Sequence, residues 1–171
     1  MRPLLLAALL ALIACSPPAE RSKAEAPAPP LASVGPALDR PAYVVDSADM
    51  LVDADENRIA ERLRAFERRT QHQMIVVTVP STNDSDIADF TRALANRWGV
   101  GRRGHNDGVV MLLARDDRRL RIAVGDGLTR QFSNDVAAEI IRTEMVPRLK
   151  SGDATGAVRA GLDAILARLD P

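Results

Sequence analysis

Residues 108–124 read GVVMLLARDDRRLRIAV. The first part, Gly108–Ala114, is an unbroken apolar run with no polar face, which predicts a strand buried on both sides. The charged stretch Arg115-Asp116-Asp117-Arg118-Arg119 reads as a hairpin turn, and residues 120–124 return as the antiparallel partner. Upstream, residues 74–79 (MIVVTV) form a second β-branched run closed by Pro80, again the pattern of a buried central strand. Strands of this kind need helices above and below them.

The flanking sequence supplies those helices. Asp53-Ala54-Asp55-Glu56 has the spacing of a capping box, and Ile59, Leu63, Phe66 and Thr70 follow at helical intervals. A second helix is expected over Ile87–Trp98, with Ile87, Phe90, Leu94 and Trp98 on one stripe and Gly99 ending it. Ser133 caps a third over residues 134–145, stopped by Pro147. Asp153 or Thr155 caps a last one, whose stripe is Val158, Gly161, Leu162, Ile165 and Leu169. Residues 43–47 form a short extended segment. The expected fold class is α/β, a three-layer helix-sheet-helix sandwich with a mixed central sheet.

Ahead of this domain the composition changes. Arg2 precedes an apolar run over residues 4–13, which is too short to span a bilayer and suits the core of a signal peptide. Leu12-Ile13-Ala14-Cys15 resembles the lipobox of bacterial lipoproteins, in which the cysteine is alkylated by diacylglycerol. Cys15 is the one cysteine of the chain, so an intramolecular disulfide and any cysteine-based metal site are excluded. Residues 1–14 therefore read as a lipoprotein signal peptide and Cys15 as a lipidated residue that anchors the chain in the membrane. Ser16, where an Asp would retain a proteobacterial lipoprotein at the inner membrane, favours the outer membrane, with the protein facing the periplasm.

Residues 15–40 follow as a tether. Pro17, Pro18, Pro27, Pro29, Pro30 and Pro36 fall here, with no hydrophobic periodicity, and proline-rich chain extends by about 3.1 Å per residue. The domain proper is placed at residues 41–171. Twenty-three basic residues balance 23 acidic ones, which leaves no whole-chain field to attract nucleic acid or an anionic membrane.

Several motifs fail on context. Gly99-Val100-Gly101-Arg102-Arg103-Gly104 is a literal G-x-G-x-x-G, but a helix precedes it and a strand follows, the reverse of a dinucleotide site, so no nucleotide is expected. Asp53-x-Asp55-x-Asn57 imitates the start of an EF-hand loop, yet Arg58 replaces the required glycine and Arg64 the bidentate glutamate. His72 and His105 lack partners for a zinc site or a catalytic triad and read as surface or loop residues. No G-x-S-x-G is present.

What remains are carboxylates at strand ends and turns. Asp46 ends the first extended segment, Asp107 lies in Asn106-Asp107-Gly108, Asp126 in Gly125-Asp126-Gly127, and Asp135 opens a helix. Oxygen ligands from separate loops suit Ca²⁺ or Mg²⁺. The same residues are also ordinary turn and helix-dipole chemistry.

Taken in order, these segments resemble the TPM domain, named for a thylakoid lumen protein, a photosystem II repair protein and a worm receptor modulator. Val45-Asp46-Ser47-Ala48, the 74–79 strand, Trp98-Gly99-Val100-Gly101, Asn106-Asp107-Gly108 with its strand, Arg121-Ile122-Ala123-Val124-Gly125-Asp126-Gly127-Leu128 and Pro147-Arg148-Leu149-Lys150-Ser151-Gly152-Asp153 carry the resemblance. It implies an α/β sandwich of the cell envelope with a divalent cation at an acidic cleft, placed at Asp46 and Asp107, then Asp126 and Asp135. Many bacterial members continue into a transmembrane helix and a Gly/Ser-rich tail. This sequence ends at Pro171, and attachment through Cys15 is expected instead.

Two functions follow. The first is a cation-binding interaction or assembly module docking an envelope protein. The second is a metal-assisted acid phosphatase, in which Arg102, Arg103 or Arg118 neutralises the phosphate. No catalytic nucleophile or base is assigned.

Overall fold

The computed structural model describes residues 42–170. The expected signal peptide, the expected lipidation site Cys15 and the whole of the expected tether, residues 15–40, lie outside those residues. A four-stranded sheet of order β1-β2-β3-β4 is built from β1 (Val44–Asp46), β2 (Gln73–Val79), β3 (Gly108–Ala114) and β4 (Arg119–Val124). The first three strands are parallel and β4 returns antiparallel to β3, so the sheet is mixed.

Every residue of β3 is buried. Its side chains alternate between two cores: Val109, Met111 and Leu113 point to one face, Val110, Leu112 and Ala114 to the other. β2 does the same, with Met74 and Val76 opposed to Ile75, Val77 and Val79. On the first face these residues meet Ile59, Leu63 and Phe66 of α1 (Asp53–Thr70) and Leu162 and Ile165 of α5 (Ala154–Leu169). On the second they meet Phe90 and Leu94 of α2 (Ile87–Trp98). The helix-sheet-helix sandwich follows from strands that have no polar side.

The two crossovers, β1-α1-β2 and β2-α2-β3, step in the same direction across the sheet, yet their helices lie on opposite faces. Two such steps cannot share a hand. One of them departs from the right-handed rule that governs about 98% of parallel crossovers.

Two local expectations are corrected, and the choice of cap for α5 is resolved. The capping box at Asp53 is not formed: α1 takes Val52 as its N-cap without a side-chain bond, and the acids Asp53, Asp55 and Glu56 occupy the first turn, where they favour the helix dipole. Thr155 does not cap α5; Asp153 does, accepting from the Gly156 N–H, while the Thr155 hydroxyl accepts from the Val52 N–H and ties α5 to the start of α1. Nor does Pro147 end a helix. After α3 (Asn134–Ile140) the chain makes a wide π turn over Ile141–Met145 and continues as α4 (Val146–Lys150). The π turn places Pro147 in the first turn of the next segment, where a missing N–H is tolerated.

Leu63 is fully buried between α1 and the sheet. Leu63→Ala is expected to lower the unfolding free energy by about 2–5 kcal/mol, measured by urea denaturation.

Candidate functional site

Hydrogen-bonded carboxylates stand at both ends of the sheet. At the end where β2 and β3 begin, α2 stops on Gly99, which takes the left-handed conformation at φ 62°. The following loop turns back on itself. The Gly101 N–H donates to Oε1 of Gln73 at 2.8 Å, and the His105 and Asn106 N–H groups both donate to the Arg102 carbonyl. Asp107 closes the loop: its Oδ1 accepts from the Arg102 N–H at 2.7 Å, and its Oδ2 accepts from Arg102 Nε at 2.7 Å and Nη2 at 2.6 Å. His72 Nδ1 stands 3.2 Å from the same oxygen.

Asp107 is 3% exposed. Burial pushes its carboxyl up, but the Arg102 backbone bond, the bonds from the Arg102 guanidinium and His72, and the Arg102 charge outweigh that, holding it below the usual carboxylate range. Backbone packing makes the loop tight as well. A Cβ on Gly108 would run into the Val100 carbonyl, and one on Gly127 into the His105 carbonyl.

At the other end lie the carboxyl ends of β1 and β2. Because the chain leaves β1 for one face and β2 for the other, these strand ends form the topological switch point, the place where open α/β sheets offer a crevice to ligands. Asp46 sits on it. Its oxygens accept the N–H of Met50 at 2.9 and 3.1 Å, the N–H of Leu51 at 2.8 Å, and the hydroxyl of Thr78. Nearby, Arg115 Nη1 donates to the Ala48 carbonyl at 2.6 Å, and Asp117 accepts from the Ser81 hydroxyl and from both the N–H and the hydroxyl of Thr82. These bonds hold Asp117 below the carboxylate range. Glu56 is shifted the other way: its burial, and then the charges of Asp46, Asp53 and Asp49, push its carboxyl up.

The TPM-domain model matches residues 44–168. The chain belongs to the TPM-domain family. The N-terminal domain of a protein from P. gingivalis is 35% identical, with 77% of this chain and 84% of that chain covered and a TM-score of 0.72. The BA42 protein of the psychrophilic bacterium Bizionia argentinensis (19% identity, 71% and 83% covered, TM-score 0.61) and the N-terminal domain of the cg2496 protein of Corynebacterium glutamicum (17%, 75% and 80%, TM-score 0.59) share the fold. No functionally curated protein matches the chain.

Within this TPM domain the carboxylates expected from sequence are not one cluster. Asp46 pairs with Thr78, while Asp107 precedes Gly108, the partner of Gln73. At about 3.3 Å per residue, that stagger alone sets them about 20 Å apart. Asp126 lies in a 3₁₀ turn, Asp126–Leu128, at the Asp107 end, joined through the Gly127 N–H bond to the Asn106 carbonyl. Asp135 is exposed in the first turn of α3. Among the described residues no three His, Cys, Asp or Glu side chains are gathered closely enough to hold a metal ion.

Nor does Asp107 fit a cation as the domain stands, because the Arg102 guanidinium occupies its Oδ2 and the Arg102 backbone N–H its Oδ1. Arg102 is therefore spent on Asp107, Arg103 is exposed on the same loop, and Arg118 lies in the β3–β4 turn at the opposite end. His72, read from sequence as a surface or loop residue, is half-buried against Asp107. Sequence reading missed Glu56 and Asp117, whose roles depend on neighbours distant in the chain.

The two ends respond oppositely to acid. Asp107 titrates below its unfolded range, so its contribution is present at neutral pH and is lost as pH falls below about 4. Glu56 titrates above its range, so its charge opposes folding at neutral pH and stops doing so on acidification. Asp107→Asn is expected to lower the urea midpoint at pH 7, and Glu56→Gln to raise it, both differences shrinking towards pH 3.

Proposed function

We propose that this protein is a lipid-anchored envelope protein whose TPM domain is an interaction module, presenting the crevice at the carboxyl ends of β1 and β2 to a partner in the envelope. The observation that carries this reading is the use of the strand-end carboxylates. Asp46, Asp107 and Asp117 each spend their oxygens holding loops in place. Residues used in that way build a fixed surface for recognition. The tether over residues 15–40 gives that surface reach, and lipid on Cys15 gives it an address.

The cation belongs in this proposal at the crevice rather than at Asp107. Burial raises the Glu56 carboxyl there, and the charges of Asp46, Asp53 and Asp49 raise it further. A hydrated Mg²⁺ needs one or two carboxylates and keeps its remaining waters, and Ca²⁺ takes carboxylate and carbonyl oxygens at a looser site. Either ion would relieve the crowding of like charge and stiffen the rim. The expected result is that Ca²⁺ or Mg²⁺ raises the urea midpoint of the wild type. The gain should be largely lost in Glu56→Gln and kept in Asp107→Asn. Equal gains in all three proteins would remove the cation from the crevice.

The second reading, a metal-assisted phosphatase, draws on Arg115, whose guanidinium reaches the same crevice at the Ala48 carbonyl. Cation-dependent turnover of a generic phosphate ester, abolished by Arg115→Gln, would establish it in place of the first.

Membrane attachment is tested separately. Among the described residues no helix is long and apolar enough to cross a membrane. Cys15→Ser is expected to abolish incorporation of labelled palmitate and release the protein to the soluble fraction. Retention on the membrane would mean that lipid is not what holds it.

A further inference from the structure

The sheet has two margins, β1 and β4, and they are finished differently. Ile122, in the middle of β4, is 1% exposed and packs in the core that holds Ala137 and Ile140 of α3. β1 is half-buried along its whole length and is the last strand on its side of the sheet. The Tyr43 carbonyl accepts from the Val76 N–H at 2.9 Å, and the Ser47 N–H donates to the Thr78 carbonyl at 3.1 Å. These bonds bracket a parallel ladder in which Val45 lies opposite Val77, and a strand at a sheet edge offers its neighbour the backbone groups of alternate residues. Tyr43, Val45 and Ser47 therefore turn their backbone groups towards β2. The N–H and C=O groups of Val44 and Asp46 turn outward, and among the described residues no other strand lies there to meet them. An edge of this kind is a template for another strand.

α1 faces that edge across a groove. Glu56, Ala60 and Arg64 recur every four residues and so form one stripe of the helix. With Tyr43 and Val44, among others, they line a cleft of about 500 Å³. A strand edge beside a helix is a setting in which extended peptides add to a sheet, main-chain bonds giving affinity and alternate side chains specificity.

The groove is graded in charge. At the start of β1, the Arg64 guanidinium stands 5.5 Å from the centre of the Tyr43 ring. Glu56 lies towards the finish of the strand, where Asp46, Asp53 and Asp49 act on it. Of the acids in the first turn of α1, Asp55 pairs with Arg58, whereas Asp53 and Glu56 are in no ion pair among the described residues. Arg115 feels Asp49 and Asp46, but its guanidinium is held by Asp116 and the Ala48 carbonyl. A basic side chain arriving at the Glu56 end would meet acids that lack a bound counter-charge.

We propose that β1 accepts an added strand from a partner protein: an extended segment that bonds to the outward backbone groups of Val44 and Asp46, lays an apolar side chain against Val44 and Ala60, and places a Lys or Arg beside Glu56. This rests on the interaction-module reading and names what docks.

The test uses the full chain in detergent micelles with EDTA present, so that no divalent cation competes. The probes are acetylated, amidated hexapeptides that alternate an apolar residue (Val, Ile, Leu or Phe) with Thr and carry Lys, Gln or Glu at either end. Fluorescence anisotropy should rank the Lys peptides first and the Glu peptides last. In ¹H–¹⁵N NMR the Val44 and Asp46 amides should exchange with solvent in the free protein and become protected when a Lys peptide saturates it. Val44→Pro removes an outward N–H while sparing the ladder to β2, and is expected to weaken binding about tenfold or more. Glu56→Gln should weaken it about fivefold, and Glu61→Gln, the same change elsewhere on α1, should leave it unchanged. Glu56→Gln keeps the test decisive should Val44→Pro fail to fold. No binding by any peptide, binding indifferent to Lys or to Val44→Pro, or protection of the two amides before peptide is added, which would mean that this chain or a second copy already covers the edge, would each overturn strand addition. A peptide that shifts the Met50 and Leu51 amides but not those of Val44 and Asp46 would overturn it too, yet leave the crevice as the recognition surface.

Discussion

The burial of β3 on both faces is the constraint on which the rest depends. A strand with no polar side is stable only when apolar layers cover both of its faces, and this chain provides α1 and α5 on one face and α2 on the other. Because the strands are added one after another in a single direction, covering both faces forces the two crossovers to opposite sides. A crossover of the less common hand is the topological consequence. The crevice between the ends of β1 and β2 is another, and it brings Asp46, Thr78 and the start of α1 to one place.

The two ends of the sheet then solve different electrostatic problems. At the Asp107 end a buried carboxylate is paid for by Arg102, with His72 beside it, and the loop after α2 is wound tightly enough that Gly108 and Gly127 have no room for a side chain. At the crevice, Glu56 is raised first by its burial and then by the neighbouring acids Asp46, Asp53 and Asp49. One end is neutralised from within; the other carries a field that an incoming cation or basic group would meet. That asymmetry is why the crevice, and not the Asp107 loop, is the better candidate for recognition.

Legibility from sequence differed by kind of feature. The 74–79 and Gly108–Ala114 runs marked buried strands because an uninterrupted β-branched and aliphatic run has few other stable uses, and Ser133 and Gly99 sit where helix ends require them. The capping box at Asp53 looked equally good, yet Val52 is bound by Thr155, more than a hundred positions along the chain, and the helix starts without a side-chain cap. Pro147 looked like a stop, but a π turn absorbed it. In both cases a local rule was overridden by packing between distant segments.

The sequence by itself determined the layers: periodicity fixes which segments bury one face and which bury two, and that is local chemistry read along the chain. The family resemblance was legible for the same reason, since its motifs are short strands and turns. Only the tertiary structure decided which carboxylates are neighbours. Asp46 and Asp107 look alike as acids at strand ends, but parallel pairing puts one at the finish of β1 and the other at the start of β3, on opposite ends of the sheet. Strand direction and register are not carried by any one segment, so the partners of an acid, and with them its charge state and its use, emerge only when the strands are laid side by side.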